Sequence, residues 1–224
     1  MKDLSRREFL QRGGGGLVAA SAGLAGLGAF THGLHTRSAA AAAATEPGCA
    51  VTEDNIEGPF YRPDAPWKEY LIEPGMKGPL LWLTGRVFGP DCKRPLAGAV
   101  LDFWQADAGG HYDNDDPAHP PAADHFVLRG RQRTNAEGRW SLQTVVPGRY
   151  RIGPKTWRPA HVHVKVHGPG TALLTTQLYF AGDPYLAGDP WMHPSLVLSL
   201  FTTDFYPGQR GTFDFVLMEA GAVR

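Results

Sequence analysis

The stretch WRPAHVHVKVHGPGTALLTTQLYF (157–180) decides how the chain is read. His161 and His163 are separated by one residue. In an extended strand, residues i and i+2 project from the same face, so both imidazoles can converge on one point. A helix would set them about 200° apart. The β-branched residues Val162, Val164 and Val166 favour the strand. The same alternation has a second reading, in which His161, His163, Lys165 and His167 form the wet face of a half-buried strand and the valines face the core. The stretch alone leaves both open.

Outward from it, short apolar runs alternate with turn signals. Strands are expected at 80–88, 97–105, 128–134, 139–146, 160–167, 173–180, 196–202 and 212–219. The turn Asn135-Ala136-Glu137-Gly138 reads as the tip of a hairpin between the third and fourth of these. No strand–helix alternation appears, so the predicted fold is all-β, a sandwich or barrel over 80–224. Residues 45–79 carry EGPFY (57–61) and Pro63, Pro66, Pro74 and Pro79, and read as an irregular arm that lies over the core or reaches a partner subunit. Homo-oligomer formation is left open.

Residues 1–44 read as a targeting segment. SRREFL (5–10) resembles a twin-arginine export motif, a mild Gly- and Ala-rich apolar stretch follows at 13–34, and 39–44 offers small-residue cleavage sites. A retained membrane anchor is the rival, weakened by the glycines, Ser21, Thr31 and His32. The expected mature protein is periplasmic or extracellular and free of the membrane. The leader holds five of the 22 basic and two of the 22 acidic side chains, which leaves 17 against 20, a formal net of −3. Such a balance provides no basic footprint for nucleic acid. The two cysteines, Cys49 and Cys92, lack the clustering of a zinc or iron–sulfur site; they either pair in an oxidising compartment or stay as two thiols.

Two tyrosines sharpen the chemistry. Tyr112 follows the Gly109-Gly110 turn, and Tyr150 follows Pro147-Gly148, eleven residues before His161. Both fall at strand ends, where sites are commonly built. Singly, each reads as an ordinary half-buried tyrosine. With His161 and His163 they compose a Tyr2His2 set, and two hard phenolate oxygens suit a trivalent ion such as Fe(III) better than zinc.

GPFYRP (58–63), PLAGAVLDFWQADAGGHYD (95–113), RGRQRTNAEGRWSLQTVVPGRY (129–150), WRPAHVHV (157–164) and TTQLYF (175–180) together resemble the intradiol ring-cleavage dioxygenases, most of all the protocatechuate 3,4-dioxygenase type and its exported relatives. The resemblance implies a β-sandwich with non-haem Fe(III) held by Tyr112, Tyr150, His161 and His163. Tyr150 and His163 would be axial, Tyr112 and His161 equatorial. It also implies that Arg158 and Gln177 are active-site residues. Tyr150 would accept a proton from substrate, and Arg158 would stabilise the anionic ring. The implied reaction cleaves a catecholic ring between its two hydroxylated carbons with O2, giving a cis,cis-muconate-type diacid.

Some features depart from the family. No counterpart of the helical N-terminal segment of catechol 1,2-dioxygenases precedes the arm, so dimerisation by that route is not expected. Trp140 stands where tyrosine is common, and the acidic loop 113–125 is expected near the pocket mouth, as a solvated loop rather than a calcium site. His111, His119, His125, His167 and His193 read as surface or loop residues. Two other functions compete: a non-catalytic exported sandwich that binds a phenolic ligand, glycan or protein partner, and a metal-dependent hydrolase. The first has no use for the full set of ligands with Arg158 and Gln177, and the second needs a carboxylate base that no spacing supplies.

Overall fold

The computed structural model describes residues 49–222; the expected leader at 1–44 and the start of the arm lie outside the described residues. Twelve strands follow in chain order: β1 (Leu80–Phe88), β2 (Val100–Gln105), β3 (Arg129–Arg133), β4 (Arg139–Val145), β5 (Tyr150–Arg151), β6 (Trp157–Arg158), β7 (His161–His167), β8 (Leu174–Phe180), β9 (Val197–Leu198), β10 (Phe201–Thr203), β11 (Tyr206–Thr212) and β12 (Phe215–Val216). One sheet runs β10-β11-β1-β12 with β4 on the other edge of β1, the second runs β3-β2-β7-β8-β9, and β5 pairs with β6 alone.

The two larger sheets enclose one core. Leu81, Leu83 and Leu142 from the first sheet cluster with Leu101, Phe103, Val162, Val164, Val166 and Leu178 from the second. Trp140 bridges the layers, its ring centroid 5.5 Å from both Phe103 and Phe215. The aromatic at this position therefore serves the core, and its burial contributes on the order of 2–3 kcal/mol. The alternation of β7 reads correctly for the valines, but the histidine face is not wet. His161 and His163 are 2% and 1% exposed, because the arm and the loops after β2 cover the outer face of the second sheet.

The expected 128–146 hairpin does not form. β3 pairs with β2 and β4 with β1, so the Asn135–Gly138 turn carries the chain from one sheet to the other. The arm occupies the edges that a hairpin would have joined. Lys68 N donates to Arg131 O and Arg131 N to Pro66 O, while Leu71 N donates to Gln143 O and Gln143 N to Glu69 O. The arm is thus irregular, as expected, and it lies on its own core with Ala65 and Leu71 fully buried.

Two further expectations shift. The 196–202 strand splits: β9 joins β8 in the second sheet, and β10 joins β11 in the first. The last strand was expected at 212–219, whereas β11 starts at Tyr206 and β12 has only two residues. Gly208 is what lets β11 lie against Leu80, because a Cβ there would sit 2.6 Å from the Leu80 side chain.

Cys49 and Cys92 form a disulfide, with Cα atoms 5.7 Å apart and a sequence separation of 43. It ties the start of the described arm to the turn after β1. Replacing both cysteines by alanine is expected to lower unfolding stability by about 2–4 kcal/mol, through the freed loop entropy of the unfolded chain. Urea unfolding measures this, and unchanged midpoints would show that the bridge contributes nothing.

Candidate active site

The site forms where β7 begins, below two glycine turns that pack on each other. Gly110, at φ 90°, lies so close to the Arg149 carbonyl that any side chain would collide, and a Cβ on Gly148 would collide with the Gly110 backbone. This close approach brings Tyr112, on the loop after β2, next to Tyr150 on β5. Their rings meet edge to face at 5.6 Å. Phe60 of the arm stacks on Tyr112 at 4.3 Å and meets Tyr150 edge-on at 6.0 Å.

All four expected ligands come together. His161 Nε2 and His163 Nε2 are 3.1 Å apart, and the Tyr112 hydroxyl is 3.4 Å from His161 Nε2. The Tyr150 ring is 5.6 Å from that of His161. His161 Nδ1 lies 2.7 Å from the Pro159 carbonyl, which can only accept. Nδ1 therefore carries the hydrogen, and the Nε2 lone pair faces the cluster. His163 has no such anchor, since its Nδ1 is buried without a partner. Its ring is instead clamped by Trp104, its cross-strand neighbour, stacked at 4.7 Å and 8°. Tyr61 packs tilted against the same tryptophan at 4.9 Å and donates to Asp102 Oδ2 at 3.0 Å.

Electrostatics suit a cation. Burial, reinforced by the Arg158 charge, pushes His161 down to about 3. His163 is pushed well down by burial and then by His161. Both rings are neutral, with lone pairs available. Burial raises the Tyr112 phenol, with Tyr150 adding to the effect. Burial also raises the Tyr150 phenol, but the Arg158 guanidinium opposes that rise. Without a cation both phenols keep their protons, and a trivalent ion among them would reverse this balance. Two neutral imidazoles with facing nitrogens and two phenols form a donor set that fits a hard trivalent metal. Among the described residues, no group of three or more His, Cys, Asp or Glu converges as a carboxylate-rich site would require.

Arg158 on β6 is opposite Tyr150 on β5 and is 2% exposed. It is not a surface ion pair. Its Nε donates to Asp189 Oδ2 at 2.5 Å, and its Nη2 donates to Gln177 Oε1 at 2.6 Å and Tyr179 Oη at 3.3 Å. Gln177 and Tyr179 on β8 lie directly opposite His163 and His161. Sequence reasoning missed Asp189, Tyr179, Trp104 and Asn55. One signal was available for Asp189: Gly-Asp-Pro occurs twice, at 182–184 and 188–190, and both aspartates are buried. Asp183 accepts from Arg149 Nε and from the Ala160 amide, which fixes the residue before His161.

The acidic loop differs from expectation at its first residue. The Asp113 side chain is covered and accepts from Arg129 Nε at 2.8 Å, Arg129 Nη2 at 2.5 Å and Arg62 Nη1 at 2.7 Å. It is a structural anchor that joins arm, loop and β3. His111 and His119 are exposed, as expected.

Fold and site together define a two-sheet β-sandwich with a buried Tyr/His cluster and a paired arginine beside it. A family model described as Dioxygenase matches residues 56–218. The chain is 40% identical over 183 residues to catechol 1,2-dioxygenase 2 of Acinetobacter lwoffii, covering 74% of this chain and 63% of that protein. It superposes on the dioxygenase domain of a dioxygenase carbohydrate-binding protein fusion from Streptomyces sp. SirexAA-E with a TM-score of 0.64 at 42% identity, covering 76% of this chain and all of that one. Against 3-chlorocatechol 1,2-dioxygenase from Rhodococcus opacus 1CP the TM-score is 0.69 at 31% identity, covering 75% and 73%. The chain belongs to the intradiol ring-cleavage dioxygenase family. It spans about half to two thirds of the length of the first curated relatives it matches.

Proposed function

We propose that the protein is a non-haem Fe(III) intradiol dioxygenase that cleaves a catecholic ring between its two hydroxylated carbons. The observation that carries this reading is the 3.1 Å approach of the His161 and His163 Nε2 atoms, with the Tyr112 hydroxyl 3.4 Å from the first. His161, His163, Tyr112 and Tyr150 would hold the ion. When bound, Fe(III) supplies a trivalent Lewis-acidic charge that draws both catechol oxygens in as anions and makes the ring reactive towards O2.

The chain's own residues do the remaining work. Tyr150 is the more exposed of the two tyrosines, and as a metal-held phenolate it would take a proton from the incoming catechol. Arg158, buried beside it, presents a fixed positive charge to the anionic ring, and such preorganised charge is worth most where water is excluded. Both ends of the Gln177 amide are engaged, by Arg158 and by the Ile56 carbonyl, so Gln177 acts through the arginine. Phe60, stacked on Tyr112 and edge-on to Tyr150, borders the site from the arm side. One C–C bond breaks and each of its carbons gains one oxygen, with the ring supplying the four electrons that reduce O2. No external reductant is required.

The test is turnover of catechol by the iron-loaded protein in isotopically labelled O2. The expected product is a cis,cis-muconate-type diacid bearing both labelled atoms, with one O2 consumed per ring. A yellow semialdehyde would instead place cleavage outside the diol, and catechol binding without O2 uptake would favour a phenol-binding module.

Export by the twin-arginine route to the periplasm or beyond is part of the proposal. It is supported by Arg6-Arg7 in its apolar context and by the Cys49–Cys92 disulfide, which suits an oxidising compartment. Lysines at both arginine positions should leave the protein in the cytoplasm, and unchanged export would contradict the assignment.

A further inference from the structure

Six hydrogen bonds close a circuit around Arg158. Its Nε donates to Asp189 Oδ2 at 2.5 Å; the Trp191 amide donates to Asp189 Oδ1 at 2.9 Å; Asn55 Nδ2 donates to the Trp191 carbonyl at 2.6 Å. The Ile56 amide donates to Asn55 Oδ1 at 2.8 Å, Gln177 Nε2 donates to the Ile56 carbonyl at 2.8 Å, and Arg158 Nη2 returns to Gln177 Oε1 at 2.6 Å. The circuit links β6, β8, the arm and the loop after the second Gly-Asp-Pro. Inside it, the guanidinium lies over the Trp191 ring at 4.8 Å.

We infer that Asp189 is the positioning residue for Arg158, and that Asn55 sets the loop that carries it. The inference rests on the ring-cleavage reading above and adds to it the source of the arginine's aim. A guanidinium can rotate about its stem, so its charge is useful to a reacting ring only if its plane is fixed. Asp189 fixes one edge, Gln177 a second, and Trp191 the face, which leaves Nη1 without an acceptor in the circuit. Stability alone does not account for the pair. The Arg158 and Asp189 side chains are 3% and 0% exposed, and a buried pair of this kind is often no more stable than an apolar replacement. Asp189 also uses its second oxygen to pin the backbone that presents Trp191, a contact directed at arginine geometry.

The experiment compares wild type, Asp189→Asn and Asn55→Ala as iron-loaded proteins. Asp189→Asn retains shape and removes the charge; Asn55→Ala opens the circuit and leaves the ion pair in place. Both are expected to keep bound iron and the resting visible band. In Asp189→Asn, kcat should fall by roughly 10–100-fold with KM within about threefold, since small misplacements of a catalytic group act at this scale. Asn55→Ala should show the same split with a smaller fall. Under anaerobic conditions the catechol-bound band of Asp189→Asn should shift from that of wild type, although the resting bands coincide. Wild-type kcat in both variants, or loss of iron and of the resting band in Asp189→Asn, would overturn the inference while leaving the function intact. Iron-loaded wild type that neither binds nor cleaves a catechol would overturn both.

Discussion

Replacing His161 with alanine is expected to give a folded chain that retains no iron and cleaves no catechol, a loss of at least ~10³-fold, since even substitutions behind a ligand cost about 10–100-fold in metal affinity. His161 is the better-anchored imidazole. Its Nδ1 is held by the Pro159 carbonyl, and the Ala160 amide is fixed on Asp183. No neighbouring side chain can take its place, because Tyr112 and Tyr150 are set by the two packed glycine turns and His163 by the Trp104 stack. The fold should survive, since β7 is held in the core by Val162, Val164 and Val166, all fully buried. Iron analysis, the visible spectrum, O2 uptake and circular dichroism together check this. Stoichiometric iron in the variant would remove His161 from the ligand set.

Arg158→Leu is expected to retain iron and lose about 10²–10³-fold in kcat/KM, the scale of a preorganised electrostatic contact. The single substitution leaves Asp189 buried without its partner, so it should also be destabilised by about 3–5 kcal/mol. A double variant, Arg158→Leu with Asp189→Leu, separates the two effects. It removes both charges, so stability should return towards wild type while activity stays low. Recovery of activity in the double variant would show that Arg158 matters only as half of an ion pair. Chemical unfolding and steady-state kinetics on the same three proteins decide between these outcomes.

Much of the site was legible because its information is local. The His161–His163 spacing on a valine-rich strand needs only the period of a β-strand, and the two tyrosines sit beside glycine turns that are visible as letters. β1 occurs over the residues expected for it, 80–88. The hairpin at 128–146 was misread because its edges are taken by arm residues 66–71, more than fifty positions upstream. No local pattern reports that competition. The alternation of β7 was ambiguous for a related reason, since the arm turns its second face from wet to buried. The start of β11 was missed because Pro207 and Gly208 are poor strand formers, and the glycine serves close packing against Leu80. Asn55 and Asp189 join segments far apart in the chain, through the Trp191 carbonyl and Arg158, so beyond the repeated Gly-Asp-Pro their roles emerge from the folded circuit.

The proposal is that Tyr112, Tyr150, His161 and His163 hold a ferric ion that would bind catechol through both oxygens. Its most direct test is the visible absorption spectrum of the purified protein, recorded with iron analysis before and after anaerobic addition of catechol. The expected result is about one iron per chain and a burgundy tyrosinate-to-Fe(III) band that moves to longer wavelength with catechol. A protein that stays colourless after Fe(III) reconstitution would contradict the claim.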